Sequence, residues 1–170
     1  MGFLFGIYPG GAAGNYAGGL AAGVPDDPAS VQKALAALQG PDTRPFLVRC
    51  YAGFSDAAGP AQTDIASPLG GEQYAANGRM LDLVLQYRST SGNVAGYAAF
   101  VRDAVARYGA TTRTVQITEE PNVAGNAVLD GNYPDVRGAI VAGVQAARLE
   151  ARRLGFTQLR IGTNTTPLFG

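Results

Sequence analysis

Five short apolar segments recur along the chain, separated by segments in which apolar residues have a helical spacing. Each apolar segment is rich in Val, Ile, Leu, Phe or Tyr and is bounded by Gly, Pro, Asn or Ser, which is typical of buried strands. The predicted strands cover Phe3 to Tyr8, Pro45 to Tyr51, Leu81 to Tyr87, Thr114 to Glu120, and Gln158 to Asn164.

The segments between these strands predict three helices with recognisable ends. Asp27 is a capping residue for a helix that begins at Pro28 and runs to about Gln39. A second helix is predicted from Asn93 to Tyr108 and a third from Pro134 to Leu154, each with one apolar stripe and a glycine close behind it. The remaining connection, Gly71 to Gly78, predicts one or two turns at most.

Alternation of strands with helices predicts a parallel sheet with right-handed crossovers. The connections that follow the strands are long and rich in Gly, Pro and Asn, whereas those that precede them are tight. In parallel α/β folds the binding site lies at the carboxyl ends of the strands. A site is therefore expected among the long connections, which are Pro9 to Asp26, Ala52 to Gly70, and Asn122 to Asn132.

The composition removes several classes of function. Thirteen basic and thirteen acidic residues cancel, so neither a nucleic acid nor an anionic membrane surface is expected as a partner. The apolar N-terminal segment is short and lacks a basic region before it, which favours a strand over a signal peptide. The apolar segments are also too short to span a bilayer. A cytoplasmic protein is therefore expected, and its oligomeric state is not predicted.

The chain has no histidine, and Cys50 is its single cysteine. A Ser-His-Asp or Cys-His mechanism, an internal disulfide and a cysteine-rich zinc site are therefore excluded within this sequence. Any catalysis has to come from carboxylates, tyrosines, arginines or Lys33.

Side chains alternate between the two faces of a strand. If the apolar side chains, with Cys50 among them, face the helices, four successive strands each place one polar side chain on the other face, near the carboxyl end. These residues are Arg49, Gln86, Glu120 and Asn164. By the same alternation, Glu119 is expected to point away from Glu120.

The fourth predicted strand, Thr114-Val115-Gln116-Ile117-Thr118-Glu119-Glu120-Pro121-Asn122, resembles the strand of clan A glycoside hydrolases that ends in Asn-Glu-Pro. In that clan the glutamate is the acid/base and ends the fourth strand of a (β/α)8 barrel, where Glu120 falls. The preceding segment, Val105 to Gly109, is also similar, and Arg49 is placed like the arginine that supports the nucleophile. The resemblance covers the chain in strand order, but only the Glu-Pro segment is specific.

This resemblance implies an α/β fold that is a partial (β/α)8 barrel, with residues 1–170 forming about its first five strand units. It implies retaining hydrolysis of a β-linked sugar by the complete barrel, without a metal or cofactor. Glu120 is the implied acid/base, and the implied substrate-binding residues are Arg49, Glu119, Gln86, Asn164 and Tyr8. The clan's nucleophile ends the seventh strand, so we expect the 170-residue chain alone to be inactive. An open wall of five strands exposes its edge strands, so we also expect the chain to be marginally stable.

Two other functions remain open at this point. Glu119 stands where the clan has asparagine, which fits either a changed substrate or a non-catalytic carbohydrate-binding or degenerate barrel. A metal-assisted enzyme that uses Glu119 and Glu120 as ligands has only Asp82 as a further acidic residue nearby. Asp82 is also a candidate ion-pair partner for Arg49.

Overall fold

The computed structural model describes residues 4–10, 13–14, 20–21, 27–41, 45–57 and 63–167. Phe3, the chain end Leu168 to Gly170, and parts of the connections Pro9 to Asp26 and Ala52 to Gly70 lie outside the described residues. The strands are β1 (Phe5–Ile7), β2 (Ala13–Gly14), β3 (Leu20–Ala21), β4 (Phe46–Ser55), β5 (Arg79–Arg88), β6 (Thr112–Ile117) and β7 (Arg160–Gly162). The α-helices are α1 (Pro28–Gln39), α2 (Val94–Tyr108) and α3 (Val136–Arg153). Short 3-10 helices cover Gly71–Tyr74, Gly109–Thr111 and Asp130–Asn132.

Five of the strands form one parallel sheet in the order β1-β4-β5-β6-β7. All five strands predicted from the sequence lie in it, and their order in space follows their order along the chain. The strands β2 and β3 form a separate antiparallel pair within the first long connection. The prediction of a parallel α/β sheet flanked by helices is confirmed.

The helix ends follow from local hydrogen bonds. The Asp27 carboxylate accepts a bond from the Ser30 backbone N–H at 2.9 Å, which caps α1. The Asn93 side chain accepts one from the Gly96 N–H at the same distance and caps α2. Because the first turn of a helix has unpaired N–H groups, these two side chains determine where the helices begin.

The core lies between the helices and one face of the sheet. Along β4, buried and half-buried residues alternate without interruption, and the helix-facing side chains of β5, such as Leu83 and Leu85, are completely buried. Cys50 belongs to this face, where burial raises the pKa of its thiol to about 12. Cys50 is therefore an inert core residue, as its predicted orientation indicates.

The helix α3 packs through small residues. Its buried positions include Ala139, Gly143 and Ala147, whereas the larger apolar residues Val136 and Val144 are only partly buried. A Cβ atom at Gly143 would lie 2.7 Å from Ile117 Cγ2. The close approach of α3 to β6 therefore depends on the missing side chain of this glycine.

Among the described residues, no helix combines the length and the apolar character that crossing a bilayer requires.

Candidate functional site

Arg49 connects the polar side chains on the open face of the sheet. Its Nη1 donates to Asp82 Oδ2 at 2.8 Å and its Nε donates to the Tyr51 hydroxyl at 2.8 Å. Its Nη2 donates to Gln116 Oε1 at 2.9 Å and to Glu119 Oε2 at 3.3 Å. Side chains from three neighbouring strands and from the turn after β6 thus converge on one guanidinium group. The contact with Asp82 is the ion pair that the sequence analysis gave as a candidate.

Glu119 is the more enclosed member of the carboxylate pair at the end of β6. Its side chain is 14% exposed, and Gln116 Nε2 donates to its Oε2 at 2.6 Å. Burial raises the pKa of Glu119, while the charge of Arg49 and the bond from Gln116 act in the opposite direction.

The strand β6 ends at Ile117, and a turn of unusual backbone geometry follows. Thr118 and Glu120 have φ angles of 65° and 46°. This is the left-handed region, which is rare for residues other than glycine and costly for a β-branched residue such as threonine. We call residues 118–120 the glutamate turn.

The glutamate turn corrects two expectations. The fourth strand was expected to continue to Glu120, and its alternation was expected to point Glu119 away from the inner face. Because the extended conformation stops after Ile117, alternation no longer applies, and the Glu119 carboxylate lies beside Arg49 on the inner side. The fifth strand is likewise shorter than expected, and Asn164 follows it instead of ending it.

Three different elements hold the backbone of the glutamate turn. Its three N–H groups donate, in chain order, to Leu85 O at 3.0 Å, Asp130 Oδ2 at 2.8 Å and Asn164 Oδ1 at 3.0 Å. Leu85 belongs to β5, Asp130 begins the 3-10 helix before α3, and Asn164 follows β7. The left-handed conformation is therefore imposed by tertiary contacts and is not a local preference of these residues.

Sequence reasoning missed Asp130. This residue is fully buried, and burial raises the pKa of its carboxyl to about 7. The available signal was the glycine after it, because a Cβ atom at Gly131 would lie 2.4 Å from Val123 O. This close approach shows that the connection Asn122 to Asn132 folds back on itself just after the turn, but the sequence alone does not show which backbone segment Gly131 approaches.

A cleft of about 570 Å³ opens beside this network at the carboxyl ends of the strands. This volume is typical of small-molecule sites. The Tyr8 and Tyr51 rings meet edge to face with their centroids 5.0 Å apart. The lining includes Tyr8, Tyr51, Gln86, Arg88, Glu119 and Leu129.

The structure therefore brings together only part of the predicted residue set. Tyr8, Gln86 and Glu119 line the cleft, and Arg49 lies beneath it through its bonds to Tyr51 and Glu119. Asn164 instead holds the Glu120 backbone. The Gln86 carbonyl oxygen accepts a bond from Arg88 Nη2 at 2.9 Å, so its amide has a fixed neighbour in the cleft.

Within the described part of the chain, no three Asp, Glu or Cys side chains are grouped closely enough to hold a metal ion. Asp82 and Glu119 both form ion pairs with Arg49, so the negative charge that would attract a metal ion is already compensated. The metal-assisted alternative thus has no ligand set among these residues.

No protein-family model, curated protein or solved structure matches this chain. The class that the fold defines is an α/β protein with a five-strand parallel sheet flanked by helices. Its function has to be argued from the site itself.

Proposed function

We propose that this chain forms the first part of a (β/α)8 barrel and carries the acid/base half of a retaining β-glycosidase site. In this proposal Glu120 is the acid/base, and the substrate is a β-linked sugar that occupies the cleft beside Glu119. The nucleophile is assigned to a carboxylate outside this sequence, because retaining hydrolysis needs a second carboxyl group about 5–5.5 Å from the first.

The strand order supports the barrel. In a doubly wound sheet the order of strands reverses at a switch point, and the ligand binds there. In a barrel each new strand is added beside the previous one, as in the order β1-β4-β5-β6-β7. The polar network around Arg49 occupies the face opposite the helices, which corresponds to the inside of such a barrel.

The single observation that carries the proposed site is the glutamate turn. Left-handed conformations at residues other than glycine cost about 1–3 kcal/mol each and persist where surrounding contacts over-determine them, often at functional sites. Here two of them, Thr118 and Glu120, flank Glu119 at the carboxyl end of β6. The fold thus maintains an unfavourable backbone around Glu119, which lines the cleft, and in this proposal the turn also presents the neighbouring Glu120 carboxylate to the sugar.

Each group has a role in this chemistry. Glu120 donates a proton to the oxygen of the departing sugar and later removes one from the attacking water. Glu119, beside Arg49, accepts a hydrogen bond from a sugar hydroxyl, a bond that an ionised carboxylate forms strongly. The rings of Tyr8 and Tyr51 present apolar surface to the sugar, and Gln86 offers an amide at the rim.

The test is a hydrolysis assay with aryl β-glycosides on the 170-residue chain and on the full-length product of its reading frame. We expect turnover by the full-length product and none by the 170 residues alone. Glu120→Gln should reduce turnover by about 10²–10⁴ for poor leaving groups. The loss should be smaller for dinitrophenyl glycosides, since that leaving group departs without a proton. Glu72→Gln, a change of an exposed acid outside the cleft, is the matched control.

The function is wrong if the full-length product neither hydrolyses nor binds a β-linked sugar. Full activity in the Glu120→Gln protein would remove Glu120 from the acid/base role.

The second candidate is a non-catalytic carbohydrate-binding barrel. The observation in its favour is that Arg49 forms ion pairs with both Asp82 and Glu119. Both carboxylates therefore have a structural role that does not require catalysis. Saturable sugar binding without turnover, unchanged by Glu120→Gln, is the result that this candidate predicts.

A further inference from the structure

We propose that Asp130 is the positioning residue of the glutamate turn: its buried carboxyl connects the end of β5 to the Glu119 backbone and thereby orients both glutamates. The significance of this role for catalysis rests on the proposed function. The structural claim itself is independent of any activity and is tested without a sugar.

The contacts of Asp130 are reciprocal. Its Oδ2 accepts the Glu119 N–H at 2.8 Å, and its own N–H donates to Glu119 O at 3.0 Å. The same Oδ2 accepts the Tyr87 N–H at 2.7 Å. One carboxyl oxygen thus joins two backbone segments that parallel-strand pairing does not connect, since the β5–β6 register ends at the pair Leu85 and Ile117.

The position of Asp130 is built by the loop around it. Gly131 allows the chain to pass so close to the Val123 and Pro121 carbonyl oxygens that a Cβ atom would lie 2.4 and 2.8 Å from them. Asp130 is completely buried, and its second oxygen, Oδ1, has no hydrogen-bond partner among the described residues. A buried carboxyl with an unpaired oxygen is unfavourable for folding, so the two backbone N–H bonds that Asp130 Oδ2 accepts have to offset that cost.

The charged and titratable groups that face this carboxyl come from three directions. Arg88 approaches from β5, where Tyr87 contributes its backbone N–H, Tyr97 approaches from α2, and Glu119 from the turn. Arg88 favours the ionised carboxyl, whereas Glu119 and burial oppose ionisation, and burial is the dominant effect. With a pKa of about 7, the carboxyl ionises near neutral pH. The Tyr87 and Glu119 amides that it binds can report this ionisation.

The experiment is an NMR titration of the 170-residue chain between pH 4 and pH 9. We expect the Glu119 and Tyr87 amide signals to shift together with one midpoint near pH 7. In the Asp130→Asn chain the amide oxygen still accepts both bonds, so the turn should persist and the shared transition should disappear. Separate midpoints for the two amides in the unaltered chain would overturn the proposal, whatever the behaviour of the variants.

A second variant separates positioning from simple stability. In Asp130→Ala both bonds are lost, and we expect hydrogen-exchange protection at Glu119 and Tyr87 to fall at least about tenfold below that in Asp130→Asn. The Glu119 pKa, measured by carbon-13 NMR, should move towards its ordinary value as the side chain leaves its buried place.

Leu35→Ala is the control for general destabilisation, because Leu35 is buried in α1 and lies outside the site. It should lower stability without changing the Glu119 pKa. If Asp130→Ala and Leu35→Ala leave the Glu119 pKa equally unchanged, Asp130 is a structural residue and the proposal is wrong. If Asp130→Ala does not fold, the Asp130→Asn titration decides alone. Hydrolysis is not measured at any step, so failure here and failure of the proposed function are distinguishable.

Discussion

The pairing of β4 with β5 and the turn that follows β6 are opposite ways of placing a side chain. The strands β4 and β5 pair without a register shift from Phe46 and Arg79 to Ser55 and Arg88. Between β5 and β6 the register shifts at Leu81 and Asp82, and β6 ends after six residues. In the paired strands, the alternation of the strand determines the direction in which each side chain points. In the turn after β6, contacts from distant elements determine that direction.

This difference shows where the molecule stores strain and where it gains stability. The paired strands bury apolar side chains in their preferred backbone conformation. The glutamate turn holds two residues other than glycine in a left-handed conformation and surrounds a buried carboxyl, Asp130, that is costly to ionise. The candidate site lies in the costly region, as is common when a fold has to present reactive groups.

The largest expected effect is a pH dependence that originates in the turn. The native state keeps Asp130 protonated up to about pH 7, whereas in the unfolded chain the same carboxyl ionises near 3.8. Between these values the native state binds more protons than the unfolded state, so stability falls as the pH rises. We expect a loss of up to about 4 kcal/mol across this window, measured as the free energy of urea unfolding.

The Asp130→Asn chain isolates this contribution. Its unfolding free energy should equal that of the unaltered chain near pH 4 and exceed it at pH 8. Glu119, whose pKa is also raised, adds a dependence of the same sign that remains in the variant. Parallel pH profiles for the two chains would show that Asp130 ionises normally.

A core substitution should behave in the opposite way. Leu83 is fully buried on the helix side of β5, and Leu83→Ala is expected to cost about 3 kcal/mol through lost contacts and a cavity. Because no titratable group is involved, we expect the loss to be the same at pH 4 and pH 8. A cost that changes with pH would mean that the core and the turn are coupled.

A smaller effect tests the strain at Glu120 directly. Glycine adopts the left-handed conformation freely, so Glu120→Gly should be more stable than Glu120→Ala by about 1 kcal/mol. At Glu72, which does not have a positive φ, the same pair of changes should give the usual order, with glycine less stable by about 0.5–1 kcal/mol. Equal effects at the two positions would show that the turn is not strained.

The sequence predicts the regular region well for physical reasons. Asp27 before Pro28 locates the start of α1, and strand alternation correctly places Arg49 beside Asp82 and Cys50 in the core. These features depend on the local conformational preferences of the residues and on the two-residue alternation of a strand, and both can be read from a single sequence. Closure into a barrel stays a prediction.

The turn could not be predicted in the same way. The conformation at Thr118 contradicts the preference of a β-branched residue, and the turn depends on acceptors that are distant in the sequence. The Thr118 N–H donates to Leu85 O, 33 residues back, and the Glu119 N–H donates to Asp130 Oδ2, 11 residues ahead. The sequence identified the Glu119-Glu120 pair by resemblance but assigned its orientation from strand alternation. It could not have located Asp130, because the role of that carboxyl exists only once the loop has folded against the turn.

The most direct test of a sugar site in this cleft is an NMR titration of the 170-residue chain with a β-linked oligosaccharide, followed at the backbone amides. A sugar site in the cleft predicts saturable shifts at Tyr8, Tyr51, Glu119 and Glu120, with little change on the outer surfaces of α1 and α3. A panel of β-linked sugars that leaves these four amides unshifted, or shifts only residues away from the cleft, would contradict it.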